Sequence, residues 1–563
     1  MKHSKNLTVF LALILIVLFF ARYAQSQNST DFKFEVTFSK DIHPGDITGR
    51  VFVIITRHND MEPRYQVVRC TGPPFFGKNI NALKAGQPAV VDKDTFGYPL
   101  SGIKEIPPGN YYVQACINLY TEFKRSDGHT IWLHNDEWEG QKWNISPGNL
   151  YSKVQEIMID PNRSQTVKLV CDQVIPPIPT PRDTEWVKHV KFKSTLLSEF
   201  WGHPMYIGAT VLLPKGYANH PEVNYPVNYV CGHFNYGNAI GYDADTLVYR
   251  PAHGFSEAEL KKESRGWDFT QFWKSDECPR MIAAVIQLPC PYFDTSYGVN
   301  SANVGPYGDA VIQELIPYLE KKFRIIPQPY ARVLSGGSTG GLMSFALQVF
   351  HPDFFGGTWS SCPDPLDFRY YQIVNIYEDK NAYYREYEWL KVERPDNRAT
   401  DGSIRYMMKD ENHYELAIGD KTRGQGQWSI WEAIFSPIGA DGYPQPIWDK
   451  LTGEIDHNVA EYWRENYDLR HFLEKSWSWI GPKLKGKLHI YTGDMDDYYL
   501  DNAVLLMEAF LEGTTDPYYD GTVEYGDRKP HCWGPRGADL IRLFKAHIVK
   551  NAPENADPSL WNY

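Results

Sequence analysis

Gly336-Gly337-Ser338-Thr339-Gly340-Gly341 decides how this chain folds. The stretch reads G-x-S-x-G, and the sequence changes period at the serine. Before it, Tyr330-Ala331-Arg332-Val333-Leu334 is a short apolar run of the length of a buried strand. After it, Leu342, Phe345, Ala346 and Val349 recur at helical spacing until Pro352 ends the pattern. A strand that turns directly into a helix brings backbones too close for side chains, so glycines must flank the serine. The turn strains Ser338 and lifts its hydroxyl out of the sheet. The helix N-terminus also aims the N–H of Thr339 at any oxyanion forming nearby. Taken alone, G-x-S-x-G is equally an ordinary glycine-rich turn. The strand–turn–helix context is what favours a nucleophile elbow.

Strands and helices alternate on both sides of this elbow. Ala209–Leu213, Val227–Val230 and Met281–Ile286 read as strands, a helix carries Val311, Leu315 and Tyr318, and the pattern resumes at Lys487–Tyr491. This order predicts a doubly wound α/β domain over 186–552. Between about 363 and 484 the sequence turns irregular and rich in Tyr and Trp. That is too long for a loop, so a cap insertion is expected there. Upstream, Phe32–Phe38 alternates cleanly, and Val51–Ile55 and Tyr111–Cys116 are further strand candidates. Turn signals separate them, so 28–172 is expected to be an antiparallel β-sandwich. Between the two regions, four prolines in Val174–Pro181 mark a stiff linker over 173–185. At the start, Lys2, His3 and Lys5 precede an apolar run from Leu7 to Ala21, and Ala24-Gln25-Ser26 follows. Residues 1–26 therefore read as a signal peptide, and a secreted or periplasmic location is expected.

The 563 residues carry a net charge of −12 with no basic run, which argues against a nucleic-acid partner. Aromatic content is 15%, with 17 Trp and 37 Tyr, which leaves carbohydrate-linked substrates open. Asn28, Asn144 and Asn162 head N-x-S/T sequons. The eight cysteines include no C-x-x-C pair, so zinc or thioredoxin-like chemistry is not indicated.

A serine needs a base, and the base needs an orienting acid. Behind an elbow they follow in the order Ser, Asp/Glu, His. Gly493-Asp494-Met495-Asp496-Asp497 comes directly after the strand ending at Thr492. Asp496 is the expected acid, because a short turn lets it reach back across the strand tips, and Asp494 is the alternative. An EF-hand beginning at Asp494 fails, since Tyr499 and Leu505 stand where glycine and glutamate are required. His531, in Lys529-Pro530-His531-Cys532-Trp533-Gly534, is the expected base. The second oxyanion donor is sought in Cys231-Gly232-His233-Phe234, from the backbone of His233 or Phe234. Cys532 adjoins the base, and Cys362 ends the strand-like Thr358–Ser361 that should lie beside the nucleophile strand. A Cys362–Cys532 disulfide is therefore an expectation, although spacing does not fix connectivity.

With Gly336-Gly-Ser338-Thr-Gly-Gly341, Gly493-x-x-Asp496 and Gly232-His233-Phe234, the chain resembles the putative-esterase family of α/β hydrolases over roughly 190–550. That family includes esterase D (S-formylglutathione hydrolase), enterochelin esterases and feruloyl or acetylxylan esterase modules. Asn303–Gly308 looks like the substrate-side loops of its members. The resemblance implies an α/β-hydrolase fold and ester hydrolysis through an acyl-enzyme, with no metal or organic cofactor. A small-molecule or glycan-linked ester is the expected partner. The long insertion and the N-terminal β-region depart from the compact family pattern and leave the substrate undefined. Two rivals remain: a serine peptidase of the prolyl-oligopeptidase type, and a non-catalytic binding protein on a hydrolase scaffold.

Overall fold

The computed structural model describes residues 31–235, 237, 240–242 and 257–563, with the backbone alone for 257–265. The expected signal peptide and the Asn28 sequon lie outside the described residues. The chain divides into two compact units. One comprises the described residues up to Ile47 with Val51–Ile117 and Leu150–Gln173, and the other comprises Thr48–Arg50, Asn118–Asn149 and Val174–Tyr563.

The second unit is built on an eight-stranded sheet. In chain order its strands are β1 (Val187–Ser194), β2 (Met205–Leu212), β3 (Val227–Cys231), β4 (Ile282–Gln287), β5 (Arg332–Gly337), β6 (Gly357–Ser361), β7 (Leu488–Gly493) and β8 (Thr522–Gly526). Across the sheet they lie β1-β2-β4-β3-β5-β6-β7-β8. Strand β2 runs antiparallel to both its neighbours, and every later pairing is parallel. That order, with one reversed strand, is the α/β-hydrolase topology. The central strands are buried on both faces, as parallel strands covered by helices must be: all six residues of β4 are buried. Register aligns Cys231 with Gly336, Gly337 with Ser361, and Gly493 with Gly526, so these strands end along one edge. In an open α/β sheet this carboxyl edge is where ligands bind.

Helix α1 (Thr339–Phe350) follows β5 with Ser338 alone between them, and all but its last residue are buried. The fit depends on glycine. A Cβ on Gly340 would stand 2.1 Å from the carbonyl oxygen of Cys231, and one on Gly336 would stand 2.2 Å from the carbonyl oxygen of Gly340.

Between β6 and β7 the chain carries a long insertion. It holds two β-ribbons, Tyr384–Glu386 with Lys391–Glu393 and Pro395–Arg398 with Ile404–Met407, and several helices, among them α2 (Gln427–Phe435). Its core is aromatic: Tyr371 contacts Trp428, Trp431 and Trp463 with ring centroids 5.0 to 5.3 Å apart. The last helix of the expected segment, α3 (Leu469–Leu484), is the ordinary crossover helix. Its buried stripe includes Leu469, Leu473, Ile480 and Leu484, and Phe472 meets Phe350 of α1 edge-on at 5.3 Å.

The first unit is a nine-stranded sheet. Phe32, Phe34, Val36 and Phe38 point inward from its first strand, as the alternation predicted. The pairing is not antiparallel throughout, because Phe32–Phe38 runs parallel to Gln165–Val174. These are the first and last strands of the unit, joined through all the others, so no tight turn forces them to oppose. Asn118–Asn149 departs from the expected boundary by belonging to the second unit. Its ribbon, Thr121–Lys124 with Thr130–Leu133, places Phe123, Ile131 and Leu133 in that unit's core. Buried Arg125 there donates to the carbonyl of Asn303 at 3.2 Å.

Gly340→Ala is expected to destabilise the fold by about 1–3 kcal/mol or more through overpacking. Chemical denaturation of the variant beside wild type checks this, and an unchanged midpoint is the contrary result.

Candidate active site

Ser338 stands at the turn from β5 to α1 with φ 57° and ψ −122°. A non-glycine residue in this region is strained and persists only where the surroundings impose it. Here they do: the Ser338 N–H donates to the carbonyl of Ser361 at 3.0 Å and to Cys362 Sγ at 3.2 Å. The strain presents the hydroxyl at the carboxyl edge.

The structure brings Asp496 and His531 together. His531 Nδ1 lies 2.7 Å from Asp496 Oδ2, and the carboxylate is fully buried. The backbone N–H groups of Tyr498 and Leu500 donate to its other oxygen at 2.9 and 3.3 Å. Two loops make this pair. The turn after β7 packs on the histidine loop so closely that a Cβ on Gly493 would stand 2.1 Å from the carbonyl oxygen of Lys529. The insertion braces the same turn from the other side. Arg398 Nε donates to the Asp496 carbonyl at 2.9 Å, and Arg405 reaches Asp497 at 2.9 Å. Asp497 in turn accepts the His531 N–H at 3.2 Å. Asp494, the alternative acid, is exposed and takes no part in this arrangement.

Burial opposes charge on His531. The hydrogen bond to Asp496, then the contact with the Cys532 sulfur, outweighs it and raises the imidazole above the ordinary histidine range. The ring's other nitrogen does not meet the serine. His531 Nε2 faces Cys362 Sγ at 3.9 Å, while Ser338 Oγ donates to Asp364 Oδ1 at 3.4 Å. Cys362 and Cys532 are separate thiols, and their sulfurs and a His531 ring nitrogen lie within 4.8 Å of one another. Among the described residues this trio is the group whose donor atoms are close enough to hold a soft metal ion.

The loop after β3 abuts the elbow: a Cβ on Gly340 would stand 3.0 Å from Gly232 Cα. Asn235 and Gln287 exchange hydrogen bonds of 2.9 and 2.8 Å that tie this loop to the end of β4. His233 turns its ring to Asp294 at 3.0 Å, and Phe234 meets Trp138 edge-on at 5.2 Å. Both side chains are thus engaged with Asp294 and Trp138, and it is their backbone that is relevant to an oxyanion. Thr339 opens α1, where the first N–H groups of a helix have no intrahelical partner.

Three residues escaped the sequence reading. Asp364 is buried, and burial raises its carboxyl pKa against the donors around it. Those donors are the Tyr297 hydroxyl, the Thr339 hydroxyl at 3.2 Å and Gln427 Nε2 at 3.1 Å. Tyr297 also accepts from Trp431 Nε1 at 2.7 Å, so α2 of the insertion supplies part of the floor beneath the serine. Asp364 follows the end of β6 by three residues, and that position at the carboxyl edge is the signal that could have found it.

A strained serine on an elbow, with a carboxylate–histidine pair beyond later strands of the same sheet, gives the second unit the arrangement of an α/β-hydrolase fold. Residues 295–421 match the family described as "Putative esterase", and the resemblance seen in the motifs holds. The matched segment contains Ser338 and Asp364. No curated protein matches the chain. Among solved structures, the chain is similar to a ferulic acid esterase at 13% identity, over 67% of this chain and 97% of that one, with a TM-score of 0.32. It is also similar to an S-formylglutathione hydrolase from Agrobacterium tumefaciens at 12% identity, over 66% and 98% of the two chains, with a TM-score of 0.32. The fluorophosphonate-binding serine hydrolase F of Staphylococcus aureus is similar at 16% identity, over 64% and 98%, with a TM-score of 0.32. No helix among the described residues is long and apolar enough to cross a membrane.

Asp496→Asn is expected to lower nitrophenyl-ester kcat/KM by about 10²–10⁴-fold, the usual range for losing acid–base assistance. A base acts only when neutral, so the rate rises with pH through the histidine pKa. Removing the carboxylate lowers that pKa, and the rising limb moves to lower pH. Asp494→Asn should leave rate and profile unchanged. Equal losses in the two variants would remove the assignment of Asp496.

Proposed function

We propose that the protein is a serine carboxylic-ester hydrolase working through an acyl-enzyme. The observation that carries this reading is the contact of buried Asp496 with His531 at 2.7 Å, at the same sheet edge as the strained Ser338. His531 takes the hydroxyl proton as Ser338 attacks the ester carbonyl, then returns it to the departing alcohol. Asp496 fixes the imidazole tautomer and stabilises the imidazolium. The oxyanion is held by the N–H of Thr339 and by that of His233 or Phe234. Water repeats the cycle on the acyl-enzyme.

The substrate we infer is a bulky or carbohydrate-linked ester, met outside the cell by a secreted or periplasmic enzyme. Buried Trp428, Trp431, Trp448 and Trp463 are occupied with packing, so the support comes from exposed rings. Tyr387 and Trp389 stand at the turn of the first ribbon, and Trp389 is 86% exposed. The peptidase alternative is not favoured. It calls for several separate four-stranded blades, whereas the strands of the first unit share one sheet.

A fluorophosphonate probe is expected to label wild type and not Ser338→Ala, with short-chain nitrophenyl-ester turnover lost in the same variant. A folded wild type that neither labels nor turns over would leave the binding-protein reading in its place.

A further inference from the structure

We propose that Cys362 and Cys532 form a disulfide, and that closing it releases His531 to the hydroxyl of Ser338. The proposal rests on the esterase reading for its second half only.

Cys362 stands between the two halves of the site, with the Ser338 hydroxyl turned to Asp364. Cys362 Sγ accepts the N–H of Ser338 at 3.2 Å and faces His531 Nε2 at 3.9 Å, so a thiol stands where the nucleophile's hydroxyl has to be. Cys532 is the next residue after His531, and its sulfur lies within the same 4.8 Å group. Both backbones are strained, with φ 40° at Cys362 and 59° at Cys532, and strained residues persist where neighbours over-determine them. Space is reserved for the sulfur as well: a Cβ on Gly337 would stand 3.1 Å from Cys532 Sγ. In the proposed bridge, bonding to Cys532 draws Cys362 Sγ away from Nε2.

The two thiols suit the two roles of an exchange reaction. Cys532 is partly exposed and Cys362 is buried, so an oxidant in solution meets Cys532 first. With oxidised glutathione as oxidant, the Cys532 thiolate attacks one sulfur and displaces a glutathione thiolate. Cys362 then gives its proton to that thiolate and attacks the Cys532 sulfur. The second glutathione leaves and takes up the Cys532 proton. The protein pair loses two electrons, and one glutathione disulfide becomes two thiols.

The test uses the full chain, fully reduced and then equilibrated with oxidised glutathione. Non-reducing peptide mass mapping is expected to find Cys362 linked to Cys532 in the oxidised sample. Nitrophenyl-ester kcat/KM and the rate of fluorophosphonate labelling are expected to be at least tenfold higher than in the reduced sample. In Cys362→Ala/Cys532→Ala the two redox conditions should give the same rate. Both thiols free after oxidation, or either one linked elsewhere, overturns the bridge. A mapped bridge with equal rates in both forms overturns the release of His531. Zn²⁺ inhibition of the dithiol form that EDTA reverses, with no bridge after oxidation, assigns the three atoms to a metal instead. Mapping does not depend on turnover, so a protein inert in both forms would refute the esterase reading and leave the bridge decided on its own.

Discussion

The site depends on two backbones passing at contact distance where β5 becomes α1. The carbonyl of Cys231, at the end of β3, lies where a side chain on Gly340 would begin, and the carbonyl of Gly340 lies where one on Gly336 would begin. This crossing fixes three things together. It sets the strained backbone of Ser338, points the start of α1 at the carboxyl edge, and holds the loop after β3 beside the serine. Burial of α1 on nearly every side supplies the packing energy that offsets the strain.

A second close approach, of Gly493 to Lys529, does the same for the acid and the histidine. Two glycine contacts thus carry the two halves of the site, on strands separated by β6. What lies between them is the end of β6 itself, with Ser361, Cys362 and Asp364. Ser361 and Cys362 hold the serine's N–H, and Asp364 holds its hydroxyl. The strand joining the two halves therefore decides whether they meet.

The sequence made legible what backbone geometry demands locally. The elbow was readable because its glycines, its apolar strand and its helical spacing are contiguous. The pairing of Asp496 with His531 was readable because chain order and strand ends constrain both residues. Strand β1 was harder to see. Val187-Lys-His-Val-Lys-Phe-Lys-Ser194 is an edge strand whose Lys-rich alternation does not stand out as a buried run. The ribbon at Thr121–Leu133 was assigned to the wrong unit, because nothing in its spacing tells which core Phe123 and Ile131 enter. Asp364, Tyr297 and Gln427 come from three distant segments and meet only through the tertiary fold. Much of the aromatic wealth of the insertion fills its own core, as the rings around Tyr371 show.

The grip of Arg398 on the carbonyl of Asp496 bears on how such a protein can diverge. Surface segments that differ in length among relatives usually do so because nothing essential is attached to them. Here the ribbon that begins at Pro395 is attached to the residue that orients the histidine. A change of length at its outer turn, 399–403, leaves that attachment in place, whereas one at its base moves Arg398 and Arg405 and with them the turn that carries Asp496.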